Sequence, residues 1–196
     1  MGSEFKDCLD GLLDCLQQCN VDQRIQLLNE IQVRLSDMYP FQAPVNTIQW
    51  VSADKVTAND YNPNVVANPE LELLRVSIQE DGVTQPIVVY PSDTGMEIVD
   101  GFHRYTLLKG QFNGYVPVVR LKQNRGGRIA STVRHNRARG KHQIESMSKI
   151  VIELSQLGWD NATIAEKLGM NDDEVLRLRQ VTGLASLFKG VNFSQL

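Results

Sequence analysis

Cysteine is nearly missing from this chain of 196 residues, and the three present, Cys8, Cys15 and Cys19, fall within the first 19 positions. They have no paired spacing typical of zinc, and no cysteine follows, so a reduced cytoplasmic chain without a metal centre is expected. No apolar run approaches the roughly 20 residues that cross a bilayer, and nothing resembles a signal peptide, so no membrane partner is expected. Carboxylates spaced to hold two metals are also wanting, which leaves nuclease chemistry without support. One sign of charge is missing locally. Between Arg120 and His142 there is no Asp or Glu, although the chain holds 23 of them and its net charge is −3.

That stretch instead carries Arg120, Lys122, Arg125, Arg128, Arg134, Arg137, Arg139 and Lys141. A one-signed block is either a solvated face or a site for a polyanion, and the abundance of acid elsewhere favours the polyanion. Arg125, Arg128, Arg134, Arg137 and Lys141 are the candidate contacts to a nucleic-acid backbone. A length of 196 residues with 42% hydrophobic and 22% charged residues is ordinary for one large or two small globular domains. Met1–Phe5 has the look of an expression-vector scar and is left out of the reading.

Periodicity divides the rest into three regions. Residues 6–44 read as a helical hairpin: Leu9, Leu12, Leu13 and Leu16 mark one helix, Ile25, Leu28, Ile31 and Leu35 the other, and Asn20 has the character of a cap between them. Its leucine- and cysteine-rich face has to be covered, either by the protein's own core or by a second copy in a homodimer. Residues 45–126 alternate strands (near 48–51, 87–90, 97–99 and 116–121) with helices (70–79 and 103–109). Residues 127–196 are helical, with signals at 128–137, 143–157, 161–168 and 173–181. In the last two, Gly169 closes one helix and Asp173 to Leu178 opens another, a helix-turn-helix pattern. Asp172, Asp173 and Glu174 sit where base-reading residues belong, and three carboxylates repel phosphates. This favours a structural or dimerising pair over a sequence reader, with Arg177 and Arg179 in partial compensation.

The stretch Ile98-Val99-Asp100-Gly101-Phe102-His103-Arg104-Tyr105 concentrates the chemistry. A strand stops at Asp100-Gly101 and a helix begins near His103, an arrangement that gathers backbone N–H groups, His103 and Arg104 around one volume fit for a phosphate. Arg104 can grip phosphate with two hydrogen bonds; its competing role is a structural ion pair. His103 competes with a cap or core role, and Glu80 and Asp81 with plain solvation at a helix end.

These residues resemble the ParB/sulfiredoxin superfamily. Beside the turn, Gly82-Val83-Thr84-Gln85-Pro86-Ile87-Val88-Val89 and Ser77-Ile78-Gln79-Glu80-Asp81-Gly82 match its helix-to-strand unit. Ala58–Asn64 matches the N-P-x-Q-P-R box with Asn64 in place of Arg, and Val116-Pro117-Val118 matches its V-P-V strand. The IbrB-like branch is the nearest in pattern. The resemblance implies an α+β fold: a small mixed sheet with flanking helices, preceded by a helical hairpin and followed by an all-α, helix-turn-helix-like region. It implies nucleotide binding at Gly101, Phe102, His103 and Arg104, with Asn136 and Arg139 from the later E-N-x-x-R box. The ligand would be a nucleoside triphosphate or diphosphate (ATP, ADP or CTP) with Mg²⁺. The sulfiredoxin nucleophile is replaced by Phe102, which excludes that chemistry. The glutamate of the CTP-switch turn G-E-R-R is gone, and His135 stands where the later box has its glutamate. Two functions follow: a nucleotide-switched regulator that engages DNA or a protein partner and hydrolyses slowly at most, or a phosphotransferase resembling free-serine kinases, with Glu80, Asp100 and His103 as catalytic candidates.

Overall fold

A computed structural model describes residues 2–60, 68–92, 95–122, 124–137 and 144–188. The N-terminal hairpin comprises α1 (Ser3–Gln18) and α2 (Val21–Ser36). Asn20 is the N-cap of α2: its side chain accepts from the Gln23 backbone N–H while Gln23 returns a bond to the Asn20 backbone, a reciprocal capping box.

The sheet is built from β1 (Ile48–Ser52), β2 (Val56–Thr57), β3 (Ile87–Ser92), β4 (Gly95–Asp100) and β5 (Tyr115–Arg120), in the order β1-β5-β3-β4-β2. β1 runs antiparallel to β5, β5 parallel to β3, β3 antiparallel to β4, and β4 parallel to β2. Only β2 went unanticipated: two residues are too short to show a period, and its place is set by pairing with Met96 and Glu97. Pro117 is tolerated inside β5 because pairing with β3 starts at Val118, so its missing N–H interrupts no bond there. The outer edge of β1 is closed by α2. Asn29 donates to the Trp50 carbonyl at 2.7 Å and accepts from the Trp50 N–H at 2.9 Å, as a neighbouring strand would.

One face of the sheet carries α3 (Asn68–Asp81) and α4 (Phe102–Leu108). Val51, Ile87, Val89, Met96, Ile98, Leu108, Val116 and Val118 form a core there, joined by Ile78, Phe102 and Tyr105. On β4 the alternation of side chains sends Met96 and Ile98 into that core. Glu97 and Val99 point the other way, towards α5 (Arg125–Arg137).

A second core belongs to α5 together with α6 (Ile144–Gln156), α7 (Asn161–Leu168) and α8 (Asp172–Phe188); it contains Ile129, Val133, Val151, Leu154, Ile164, Leu168 and Val175. The helix α5 starts at Arg125, three residues earlier than periodicity predicts, and crosses the boundary expected between residues 126 and 127. Asn124 caps it by accepting from the Gly127 N–H. Gly126, a weak helix former, is needed because a Cβ there would lie 2.8 Å from the Trp159 ring. Gly126→Val is therefore expected to cost about 1–3 kcal/mol by overpacking a rigid ring. Urea unfolding measures this, and an unchanged midpoint would contradict the packing.

Candidate functional site

The turn between β4 and α4 is shaped by one glycine and one arginine. Gly101 has φ +93° and ψ +24°, a left-handed conformation that reverses the chain as the strand gives way to the helix. A Cβ at Gly101 would stand 2.8 Å from Nη2 of Arg104, so the guanidinium occupies the space that only glycine leaves open. Arg104 reaches back across the turn. Its Nη1 donates to Oε1 of Gln85, in the loop before β3, and its Nη2 donates to Oδ2 of Asp100 at 3.3 Å. The two charged side chains are 12% and 7% exposed, so the pair is largely shielded from water. The structural ion pair weighed from the sequence is thus present.

Two histidines flank the pair. His103 follows Phe102 in the first turn of α4 and packs edge-on against its ring, with 5.6 Å between centroids. Partial burial pushes its pKa below the ordinary value, against a smaller opposing pull from Asp100. His135 comes from the last turn of α5 and places Nδ1 4.0 Å from Oδ2 of Asp100. One turn earlier, the Thr132 hydroxyl donates to the Val99 carbonyl at 2.7 Å, pinning α5 to the end of β4. Asn59, from the N-P-x-Q-P-R-like box, donates to the Ile98 carbonyl at 2.7 Å and so belongs to the same corner. No side chain caps α4, and the first helical bond runs from the Tyr105 N–H to the Gly101 carbonyl. The N–H groups of the first turn are left to other partners.

Asp100, Gly101, Phe102, His103 and Arg104 are brought together as expected by adjacency. Gln85 and His135 join them without having been singled out as site residues. Gln85 lies 19 positions from Arg104 and His135 lies 35 from Asp100, separations that a local motif does not bridge. The substitution of His135 for glutamate in the later box was the available signal. Glu80 is exposed on α3, and no described interaction connects it with Asp100. The Asn136 side chain, the Arg137 side chain, Arg139 and Lys141 lie outside the described residues.

The rest of the basic block is largely engaged within the protein. Arg125 pairs with Glu153 at 2.6 Å and with Asp60 at 3.2 Å, and both partners hold its pKa above the ordinary value. Arg128 is 9% exposed; its guanidinium carbon lies 3.9 Å from the Tyr90 ring centroid, with Glu97 at 3.9 Å. Exposed Arg134 donates to the Lys167 carbonyl at the end of α7 at 2.8 Å. Lys122 lines a cleft of about 490 Å³ with Tyr90, Pro91, Leu121 and Asn124, at the far end of β3 from the turn.

In the helix-turn-helix, Asp160 caps α7 by accepting from the Thr163 N–H, and hydrogen bonding to the Thr163 side chain and, to a lesser degree, to that N–H lowers its pKa. Gly169 adopts φ +67° at the turn, the Met170 N–H returns to the Ala165 carbonyl, and Asn171 caps α8 through the Glu174 N–H. Asp172, Asp173 and Glu174 lie in the first turn of α8, where carboxylates complement the helix dipole.

A family model described as the ParB N-terminal domain matches residues 40–131, and one described as the IbrB-like C-terminal HTH domain matches residues 142–190. The Escherichia coli (strain K12) protein YbdM is 52% identical over 182 residues, covering 89% of this chain and 87% of its own. Among solved structures, a pNOB8-like ParB N-domain superposes with TM-score 0.53 at 14% identity, covering 74% of each chain. A C-terminally truncated ParB from Caulobacter crescentus, complexed with CTP-gamma-S, gives TM-score 0.42 at 18% identity over 73% of this chain and 87% of that one. Among the described residues, no helix is long and apolar enough to cross a membrane.

The sign of the pH dependence at the turn follows from His103. Its folded pKa lies below the ordinary histidine value of about 6.5, so as pH falls through that value the unfolded chain binds more protons and stability falls. Thermal melts between pH 7 and pH 5 should therefore be flatter for His103→Gln than for the wild type. A steeper loss in the variant would reverse the assignment.

Proposed function

The chain belongs to the ParB/sulfiredoxin-like superfamily, joining a ParB N-terminal domain to an IbrB-like helix-turn-helix domain, and from that membership we propose that it is a nucleotide-binding regulator. In this reading the nucleotide phosphate sits at the β4–α4 turn, and the helical region engages DNA or a protein partner.

The observation that carries the reading is the meeting at Asp100 of Arg104 from α4 and His135 from α5. A phosphate at the turn meets the first-turn N–H groups, the His103 ring and the Arg104 guanidinium. It competes with Asp100 and Gln85 for that guanidinium, and the gain or loss of the Asp100 carboxylate is felt by His135. Asn136 and Arg139, which the resemblance adds to the site, lie outside the described side chains, and their part in it is proposed from the resemblance alone. Asp100 is the carboxylate at the turn among the described residues, and its pairing with Arg104 supports a reading in which any Mg²⁺ is held by the nucleotide phosphates rather than by a protein cage. The phosphotransferase reading needs a base beside the acceptor hydroxyl. Glu80, exposed on α3, offers no described link to the turn.

Isothermal titration with CTP, ATP and ADP in the presence of Mg²⁺ tests the proposal. One nucleotide should bind, and Arg104→Ala, checked for folding by its melting curve, should weaken it about tenfold to a hundredfold, the loss of one charge-assisted bond worth roughly 1.5–3 kcal/mol. Unchanged affinity in the variant, or no binding at millimolar nucleotide, overturns the site. Incubation with ATP or ADP and free serine should yield no phosphoserine; product that disappears in Glu80→Ala would establish the enzyme instead.

For the helical region, duplex binding followed by fluorescence anisotropy should weaken with salt at a log–log slope of about −0.9 per phosphate contacted. Arg134→Ala should make that slope shallower by about one contact. An absence of duplex binding even at low salt would direct the helical region to a protein partner.

A further inference from the structure

The helix α1 is held only at its root. Arg24 of α2 caps its C-terminal end by donating to the carbonyls of Leu16, Gln17 and Cys19, and Leu16 is its one buried residue. The hairpin itself is anchored to the sheet through Asn29, Gln32 and the bond from the Tyr115 hydroxyl to Asp22. Beyond that root, Leu9, Leu12 and Leu13 stand 41%, 40% and 46% exposed, and Val21, Leu28 and Leu35 of α2 are exposed as well.

We propose that this arm is a homodimer interface, in which α1 of each copy lays its leucine stripe on the α1–α2 hairpin of a second copy of the same chain. Charge selects the chemistry of the occupant. At 3.6 residues per turn, Leu9, Leu12, Leu13 and Leu16, with the three cysteines, cover about 160° of α1. Asp7, Asp10 and Asp14 fall on the opposite side, and Lys6 borders the stripe beside Leu13. One lysine at the border against three carboxylates on the back gives a polyanion little to hold, so the occupant is an apolar helix face. Stability selects its identity. An isolated helix of 16 residues is marginal in water, and Gly11 in its middle costs about 1 kcal/mol more. The occupant therefore has to be present whenever the chain is folded and in equal number, which a second copy satisfies by construction. The spacing of leucines at three and four residues is that of a seam that packs against its own like. A stable pair needs about 800 Å² per copy, so the exposed apolar side chains of α1 and of α2 both have to take part.

Light scattering after size exclusion, and sedimentation of the full chain, should give twice the 22.0 kDa monomer mass at tens of micromolar. Leu12→Glu and, separately, Leu28→Glu should raise the dissociation constant at least a hundredfold. Both positions are exposed, so melting curves should confirm intact folding. Asp10→Lys, on the opposite face of α1, should leave the mass doubled. Should either leucine variant fail to fold, hydrogen exchange on the wild type decides: protection of α1 amides must rise with protein concentration. A wild-type monomer at 100 µM, a dimer that survives both substitutions, or α1 protection independent of concentration overturns the proposal.

Discussion

The two halves of this molecule are joined by one helix with two occupied faces. Along α5, Arg128, Thr132 and His135 follow one another at four and three residues, so they share a side. Each meets β4 or its neighbour at successive levels: Arg128 at Glu97 and Tyr90, Thr132 at the Val99 carbonyl, and His135 at Asp100. Ile129 and Val133, turned by one residue, lie in the core of the helical region. A shift of α5 along its axis would break the buried Thr132 bond and uncover Arg128. Either loss leaves polar groups without partners in a dry interface. The helix therefore has few positions available to it, and the turn at Asp100 is read at its end.

The β4–α4 turn obeys the same economy. Asp100 and Arg104 are nearly enclosed, and a pair of that kind contributes little net stability while making the removal of either partner costly. Its value lies in geometry. The guanidinium fills the space above Gly101, Gln85 fixes its far end, and the left-handed glycine makes room for both. From the sequence alone Arg104 reads as a donor to phosphate, with a structural ion pair as its competing role. At 12% exposure it is instead a hinge pin between strand and helix, and a ligand there has to compete with partners already in place.

The local parts of this arrangement were legible from the chain. Apolar spacing located the helices, although α8 runs to Phe188, seven residues past its last periodic signal; the β-branched runs marked four of five strands, and Asp100-Gly101 marked the turn because glycine followed by a helix start has few other meanings. The long-range parts were not. Asn29 reads as an ordinary polar residue on a helix until it is seen completing the edge of β1. Gly126 reads as a breaker until Trp159 lies across it. Gln85 carries no signal of its own, because its partner is 19 positions away in sequence, and His135, 35 positions from Asp100, shows itself only as the residue in place of glutamate in the later box. Two-residue β2 has no period to detect and is set entirely by its neighbour β4.

The basic block shows why a count of charges is a weaker guide than their pairing. No acid lies between Arg120 and His142, yet Arg125 and Arg128 find their carboxylates elsewhere, in Asp60, Glu153 and Glu97. Those acids come from the loop after β2, from α6 and from β4, so the block ties the helical region to the sheet. Carboxylates this close offset much of the charge of Arg125 and Arg128, so the N-terminal half of α5 presents a phosphate backbone with less positive charge than the count of arginines suggests. Cationic character remains towards the end of that helix, where Arg134 is exposed and its hydrogen bond is to a carbonyl rather than a carboxylate. The same end carries His135 to Asp100. Exposed Arg134 and the contact of His135 with the β4–α4 turn thus share a single turn of α5, so a charge placed at one would be felt electrostatically at the other.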